Sequence, residues 1–266
     1  MPKQPKSSTR SNCDGLPRRG GLIRNEPRFV VTLAWPQVER LIAAGAIAVL
    51  PIGAAAKEHG RHLPMASDLL QAEHLAWLLA KHANVLVWPA LSYGYYPAFT
   101  DYPGSCTLDA AVFAQTVEQV AESIFRSGTR ALLVINTGIS TIPPLESLAM
   151  RFKHPIKLAH VYRGVRYVEV GRKICRQERG GHGDEAETSI MLAIAPELVN
   201  MDLAQPWLSP QMGHGKFVRE DVSHPNFSPD GIYGDPTLAS REKGEKLLEA
   251  MLEDLLDIFD APDKLL

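Results

Sequence analysis

Two polar stretches of this sequence combine imidazole and carboxylate side chains at close spacing. The first covers residues 57–68 and contains Glu58, His59, His62 and Asp68. Imidazole and carboxylate together suit Zn²⁺, Mn²⁺ or Fe²⁺, and an Asp at the start of a helix is kept ionised by the helix dipole. The stretch is therefore a candidate metal site. A helix-capping Asp beside histidines on a polar surface turn is the alternative, and the spacing leaves both open.

The second stretch covers residues 180–189, where His182 is followed by Asp184, Glu185 and Glu187. A histidine on glycines before a helix can act as a general acid or base, and a nearby carboxylate can orient it. Acidic residues are also common in the first turn of a helix for electrostatic reasons alone. The pattern therefore predicts either a proton-transferring His182 assisted by Glu187 or an ordinary helix start.

Hydrophobic periodicity indicates which elements position these stretches. Short apolar runs predict strands at 46–53, 85–90, 130–135, 156–162 and 167–174. Amphipathic patterns predict helices at 67–83, 108–127, 144–152, 185–195 and 240–259. Strands separated by helices of this length form βαβ crossovers, so we expect an α/β fold whose mostly parallel sheet is covered on both faces.

Ligands of such sheets bind outside the carboxyl ends of the strands. We therefore expect the polar loops after the first, second, third and fifth predicted strands to converge at one end of the sheet. The second of these loops, residues 92–105, is rich in tyrosine. Its aromatic side chains could line a small-molecule pocket, or they could form a satellite apolar cluster beneath a long loop.

The composition narrows the class of protein. The chain has 266 residues, is 45% hydrophobic and carries a net charge of −2, which predicts one well-buried core and no nucleic-acid partner. No apolar run approaches the roughly 20 residues of a membrane helix. Three cysteines make neither a disulfide framework nor a zinc knuckle, which favours a cytoplasmic location.

Motifs and domain organisation restrict the interpretation further. No G-x-S-x-G, P-loop or G-x-G-x-x-G motif follows a predicted strand, which argues against serine-hydrolase, NTPase and Rossmann-cofactor functions. Residues 1–27 are polar and basic, and we interpret them as a mobile arm or as a docking arm for another subunit. Residues 28–266 are predicted to form a single domain.

At these stretches the sequence resembles the creatininase (creatinine amidohydrolase) family. The matching segments are residues 50–68, 102–108, the strand end at Asn136, 182–189 and 231–244. The resemblance implies a three-layer α/β/α sandwich, frequently assembled as a homo-oligomer such as a hexamer. It also implies a metal-dependent hydrolase of small or cyclic amides and related C–N bonds that uses Zn, Mn or Fe.

The family pattern E-x-H-G-P-H-L-P-x-x-x-D assigns metal ligation to its Glu, its first His and its Asp. His59 and Asp68 match this pattern, whereas Lys57 stands at the position of the Glu and Glu58 follows one place later. The loop is one residue longer than usual, so a bulge would swing Glu58 inward. The resemblance then implies metal ligation by Glu58, His59 and Asp68.

The family's third strand usually runs into N-G-H, and creatininase itself has a further ligand two residues after that His. Gly138 and Ser140 occupy these two positions here. We therefore expect one bound ion rather than two. Lys57 beside the site would lower metal affinity and favour an anionic substrate.

The resemblance also assigns roles in catalysis. His182 and Glu187 match the family's catalytic His and the Glu that follows it. His182 would pass a proton to the leaving nitrogen, and the ion would activate a water molecule. The expected substrate-binding residues are Lys57, Tyr95, Gly104, Ser105 and Asn136.

Three hypotheses follow. The first is an amidohydrolase that acts on a small-molecule substrate, with neither a nucleic acid nor a membrane as a partner. The second is a creatininase-fold protein with a degenerate metal site that binds a ligand or partner without catalysis. The third is an enzyme without metal, in which Lys57 stabilises charge and His182 transfers protons.

Overall fold

The computed structural model describes residues 28–209, 212 and 215–261. Within these ranges the strands are Ile47–Ile52 (β1), Val85–Val87 (β2), Leu132–Asn136 (β3) and Ile156–His160 (β4). The α-helices are Trp35–Ala43 (α1), Ser67–His82 (α2), Ala110–Arg126 (α3), Ile142–Arg151 (α4), Val165–Ile174 (α5), Glu185–Ile194 (α6) and Arg241–Asp260 (α7). The arm predicted at residues 1–27 lies outside the described residues.

The four strands form one parallel sheet in the order β2-β1-β3-β4. Its register pairs Ile52 of β1 with Asn136 of β3, and Asn136 with His160 of β4. The carboxyl ends of these three strands therefore lie side by side. The loops that leave them start at the edge of the sheet where parallel sheets bind ligands.

Apolar side chains cover both faces of the sheet, which confirms the predicted α/β sandwich. Val49 of β1 packs into one core with apolar residues of α2, α6 and α7, whereas Ala48, Leu50 and Ile52 pack into a second core with residues of α3 and α4. Every residue of β1 is buried, as expected for a strand covered on both sides. Among the described residues, no helix combines the length and the apolarity that crossing a bilayer requires.

One predicted element is wrong. Residues 167–174 form part of the helix α5 instead of a fifth strand. The β-branched and aromatic residues of this segment suggested a strand, but Tyr167, Val170 and Ile174 are spaced by three and four residues and all pack against the first core. This spacing places them on one helical face, with the charged residues between them directed elsewhere.

Candidate active site

The loop after β1 turns its charged residues inward. It runs from Gly53 to Ala66, and its chain doubles back so that the Lys57 N–H donates a hydrogen bond to the Met65 carbonyl (3.2 Å). Gly53 packs directly against the backbone of Asp68, where a Cβ atom would collide. Glu58, the residue predicted to swing inward, is 5% exposed. The three consecutive residues 57–59 are all buried at the carboxyl end of β1.

Asp68, in the first turn of α2, is the buried centre of this loop. Its Oδ2 lies 2.7 Å from Lys57 Nζ, and its Oδ1 lies 3.0 Å from His59 Nε2. Burial by itself would raise the pKa of the Asp68 carboxyl, but the charges and hydrogen bonds of Lys57 and His59 lower it well below its usual range. Asp68 is therefore an ionised carboxylate that is paired with both Lys57 and His59.

Both ring nitrogens of His59 face oxygens that can only accept a hydrogen bond. Nδ1 lies 2.9 Å from the Lys57 carbonyl oxygen and donates to it. Nε2 lies 3.0 Å from Asp68 Oδ1 and donates to that carboxylate, and a metal ion on Nε2 would displace this second proton. A histidine whose Nδ1–H is fixed by a backbone carbonyl is in the form that ligates metals through Nε2.

His182 is buried and forms a pair with Glu58. Its Nε2 lies 2.8 Å from the Glu58 carbonyl oxygen and 3.1 Å from Glu58 Oε2, while Glu58 Oε1 accepts the Gly60 N–H. Burial disfavours the charged imidazole, but the neighbouring Glu58 carboxylate raises the pKa of His182 above its ordinary value. The same pairing lowers the pKa of Glu58 against the effect of its own burial.

The loop before α6 places Glu187 on the other side of the His182 ring. Glu187 Oε2 lies 3.7 Å from His182 Nδ1 and accepts the Gly183 N–H at 2.6 Å. Asp184 caps α6 by accepting the N–H groups of Ala186 and Glu187, both at 3.0 Å. Burial, aided by the Glu187 charge, raises the pKa of Asp184 to about 6. Asp184 therefore has a structural role, whereas Glu187 faces the imidazole.

These loops bring a potential metal-binding group together. One ligand atom from each of His59, His182 and Glu187 lies within 4.8 Å of the other two, and all three residues are buried. Two imidazoles and a carboxylate are a suitable donor set for Zn²⁺ or Mn²⁺. Glu58 contacts His182, and Asp68 contacts His59. The predicted residues Glu58, His59, Asp68, His182 and Glu187 therefore form one cluster.

An aromatic cluster covers the site. Phe99 packs on His182 with ring centroids 4.1 Å apart and the ring planes tilted by 35°, and it also contacts Tyr96, Tyr102 and Phe217 in a satellite core. Next to it is a cavity of about 510 Å³. Its lining includes Tyr162, Tyr167, Phe217, Tyr233, Asp184 and Glu187. The volume is sufficient for a small molecule. Glu187 lines this cavity and also faces His182, so it links the cavity to the buried group of His59, His182 and Glu187.

The predicted substrate-binding residues differ in what they contact. Ser105 Oγ accepts the Glu58 N–H at 3.0 Å, and Gly104 forms the preceding turn with a φ of +92°. Tyr95 packs into the second core on the opposite face of the sheet. Its neighbour Tyr96, in contrast, reaches the Lys57 ammonium.

Asn136 is used within its own loop. Its Nδ2 donates to the Gly138 carbonyl at 2.7 Å, and its Oδ1 accepts the Thr141 hydroxyl at 2.7 Å. Its Nδ2 also lies 3.1 Å from His160 Nδ1. None of these contacts of Asn136 reaches His59 or His182, so a direct role of Asn136 toward substrate stays a prediction.

Several residues of the site were not singled out from the sequence. Tyr162, Phe217 and Tyr233 come from segments far apart in the chain, and only the fold brings them to one cavity. Gly231 has a φ of +82° and packs directly on the Glu58 carboxylate, where a Cβ atom would collide. The family resemblance of residues 231–244 was the signal that could have placed Gly231 and Tyr233 in the site.

A family model described as "Creatininase: Creatinine amidohydrolase" matches residues 31–259. The chain belongs to the creatininase family. The resemblance noted from the sequence is thus confirmed, and the enzyme is a hydrolase of this family.

Two curated relatives illustrate the range of the creatininase family. A creatinine amidohydrolase of Pseudomonas putida is 28% identical over 252 residues, which cover 86% of this chain and 95% of the relative. A 3-dehydro-scyllo-inosose hydrolase of Thermotoga maritima is 24% identical over 253 residues, which cover 85% of this chain and 80% of the relative. Both relatives are hydrolases, and their names differ in substrate.

Solved creatininase structures share the fold. One described as "Creatininase Mn" superposes with a TM-score of 0.76 at 26% identity, covering 89% of this chain and 98% of that one. Another, described as an E122Q mutant creatininase of "Zn-Zn type", has a TM-score of 0.76 at 26% identity and covers 88% and 98%. Manganese and zinc are thus both found with relatives of this architecture.

Proposed function

We propose that this protein is a metal-dependent amidohydrolase that cleaves a small cyclic amide or a related C–N bond. The observation that carries the proposal is the buried group of His59, His182 and Glu187, which opens through Glu187 onto the aromatic cavity. The Pseudomonas putida relative, whose name is creatinine amidohydrolase, supports the substrate class. Zn²⁺, Mn²⁺ or Fe²⁺ suits these donors, and we propose one ion for each chain.

In this proposal His59 Nε2, Asp68 Oδ1 and the Glu187 carboxylate would hold the ion, whereas His182, the third member of the buried group, is kept for proton transfer. The first two atoms are 3.0 Å apart, and His59 and Glu187 belong to the potential ligand group. Glu58 was expected as a ligand, but both of its oxygens already accept hydrogen bonds, so metal ligation by Glu58 stays a prediction. A divalent cation bound here supplies Lewis acidity toward a carbonyl and toward water.

His182 is the proposed proton carrier. Its Nε2 is engaged by Glu58, which leaves Nδ1 directed toward Glu187. The neighbouring Glu58 raises the pKa of the imidazole above its ordinary value, and in this proposal the protonated ring donates from Nδ1 to the leaving nitrogen. The proton that the attacking water loses returns to His182 by way of Glu187, and Phe99 shields the ring from water.

The substrate lies, in this proposal, in the aromatic cavity. The cavity volume of about 510 Å³ fits a single small ring with its substituents, and Tyr162 and Tyr233 form part of its wall. Gly104 and Ser105 lie on a loop that touches Glu58, so they remain candidates for binding the substrate oxygen. The homo-oligomeric assembly and the cytoplasmic location expected from the sequence stay predictions.

The proposal is tested by measuring metal content and turnover in the same protein preparations. We expect protein purified without chelator to contain about one Zn or Mn ion per chain and to hydrolyse at least one member of a panel of lactams, cyclic ureas and formamides. In His182→Ala, turnover should fall by roughly 10²–10⁴-fold while metal content is retained. His82→Ala, on an exposed part of α2, is the matched control and should leave both quantities unchanged.

Each contrary outcome has a definite meaning. Loss of metal together with turnover in His182→Ala would make His182 a ligand instead of a proton carrier. Hydrolysis by protein without metal would favour the mechanism without metal, for which the buried Lys57 is the supporting observation. Metal binding with no hydrolysis of the panel would contradict the amidohydrolase proposal and favour a ligand-binding protein of this fold.

A further inference from the structure

The site contains an amino group of its own, that of Lys57. The side chain of Lys57 is only 7% exposed, and its ammonium lies 2.7 Å from Asp68 Oδ2. The same ammonium lies 5.7 Å from the centroid of the Tyr96 ring and 5.1 Å from that of Phe99. Lysine is almost never buried without an ionic partner, and aromatic faces attract a cation further. Lys57 and Asp68 therefore form a buried ion pair at the carboxyl end of β1, with two aromatic rings beside the ammonium.

The loop after β3 leaves no room for an additional ligand beside this ammonium. A Cβ atom on Gly138 would lie 2.6 Å from Thr141 Oγ1 and 3.1 Å from a carbon of the Tyr96 ring. Ser140 Oγ donates to the Tyr95 carbonyl at 2.8 Å and is thus engaged with the backbone. The space that a longer side chain at position 138 would need is occupied by the ring that also contacts Lys57.

Charge balance leads to the same conclusion. Glu58, Asp68 and Glu187 contribute three carboxylates to the cluster, and Lys57 contributes one ammonium. Two negative charges remain when both imidazoles are neutral, and one remains when His182 carries the proton of the proposed mechanism. One divalent cation brings the cluster close to neutrality in both states, whereas two divalent cations would leave an excess of positive charge in a buried place, which is strongly unfavourable.

We propose that the ammonium of Lys57 takes the place of a second metal ion on Asp68, and that this residue limits the site to one divalent cation. The inference rests on the proposed metal-dependent function. It concerns the number of ions and their affinity, which can be measured without turnover. A solved creatininase of "Zn-Zn type" shows that this architecture is compatible with two zinc ions.

The decisive variant is Lys57→Glu, which replaces the ammonium by a carboxylate ligand and leaves four negative charges in the cluster. Titration calorimetry and elemental analysis with Zn²⁺, and separately with Mn²⁺, should show one more bound ion per chain than in the wild type. Lys57→Arg retains the charge and should bind as many ions as the wild type. The difference between Lys57→Glu and the wild type decides the inference, whereas the wild-type value decides the proposed function.

Lys57→Met is a second variant, in case Lys57→Glu does not fold. It removes the charge, keeps a side chain of similar length and adds no ligand. The number of ions should stay the same while the affinity for Zn²⁺ rises at least about tenfold, because a nearby positive charge is lost. Two ions in the wild type, no additional ion in folded Lys57→Glu, or an unchanged affinity in Lys57→Met would each overturn the inference.

Discussion

The loops after β1 and β3 leave neighbouring strands at the same edge of the sheet, yet their polar side chains have opposite uses. In the β1 loop, Lys57, Glu58 and His59 contact residues from α2 and from the loop before α6. In the β3 loop, Asn136 and Thr141 bond mainly to each other and to the loop backbone. Position at the carboxyl end of a strand is therefore not sufficient for function. A side chain must also be free of hydrogen bonds within its own loop if it is to contact groups from other elements.

Asp68 offers the largest test of this contrast, because its charge balances the buried Lys57. Asp68→Asn should lower the free energy of unfolding by about 3–5 kcal/mol, since an ammonium is left buried without its counter-charge. Urea denaturation measures the change. The matched control is Asp109→Asn, which precedes α3 at an exposed position and makes no side-chain cap, and its effect should be small.

The origin of the Asp68 effect can be isolated with a double variant. If the unpaired ammonium is responsible, Asp68→Asn should cost much less in a Lys57→Met background than in the wild type. Equal costs in both backgrounds would show that Asp68 stabilises the protein through other contacts, and the β1 loop would then resemble the self-contained β3 loop.

Thr141→Val tests the β3 loop at a smaller scale. The hydroxyl lies 2.7 Å from Asn136 Oδ1 and 2.8 Å from the Gly138 carbonyl, so its removal leaves buried acceptors poorly satisfied. We expect unfolding to become easier by about 1–3 kcal/mol, with the Zn²⁺ affinity of the site unchanged. Thr116→Val, whose hydroxyl bonds within the exposed side of α3, is the control. A weakened Zn²⁺ affinity in Thr141→Val would show that the two loops are coupled.

The smallest expected effect is a pH dependence from His62, which belongs to the β1 loop. Burial lowers the pKa of His62 to about 4, and its Nε2 lies 2.8 Å from Thr188 Oγ1. Between the unfolded value near 6.5 and this folded value, the unfolded chain binds the proton and the folded chain does not. Stability should therefore decrease as pH falls, by about 1 kcal/mol between pH 7 and pH 5.5.

The His62 contribution is the difference between wild type and His62→Gln over this pH range. The subtraction is needed because the pKa of Asp184 is raised to about 6, and a raised carboxyl pKa makes the folded state more stable as pH falls. If the two proteins showed the same pH dependence, His62 would not be the neutral buried histidine described above.

The sequence predicts the architecture well because the core elements have clear periodicity. The strands around 46–53, 130–135 and 156–162 and the helix at 67–83 are confirmed with small changes of boundary. The error at α5 came from composition, because tyrosine, valine and isoleucine favour strands while their spacing here is helical. The segment forms a helix because this spacing lets its apolar residues pack together against the first core.

The sequence identified most residues of the candidate site, but it did not show which of them contact each other. Motif spacing identified His59, Asp68, His182 and Glu187, and the structure places them in one buried cluster. No sequence pattern showed that Lys57 would turn toward Asp68, because this contact depends on how the β1 loop folds back on itself. The cavity wall was equally inaccessible, since its aromatic residues are distant in the chain.

Gly231 is distant from Glu58 in the chain, yet the candidate site requires a residue without a side chain at this position. Its bare α-carbon lies against the Glu58 carboxylate, and that carboxylate in turn holds the His182 ring. Any side chain at position 231 would displace the acid and release the imidazole from its orientation. A residue with no functional group thus sets the alignment of the proposed proton carrier, and its missing side chain is as much a part of the candidate site as the polar groups around it.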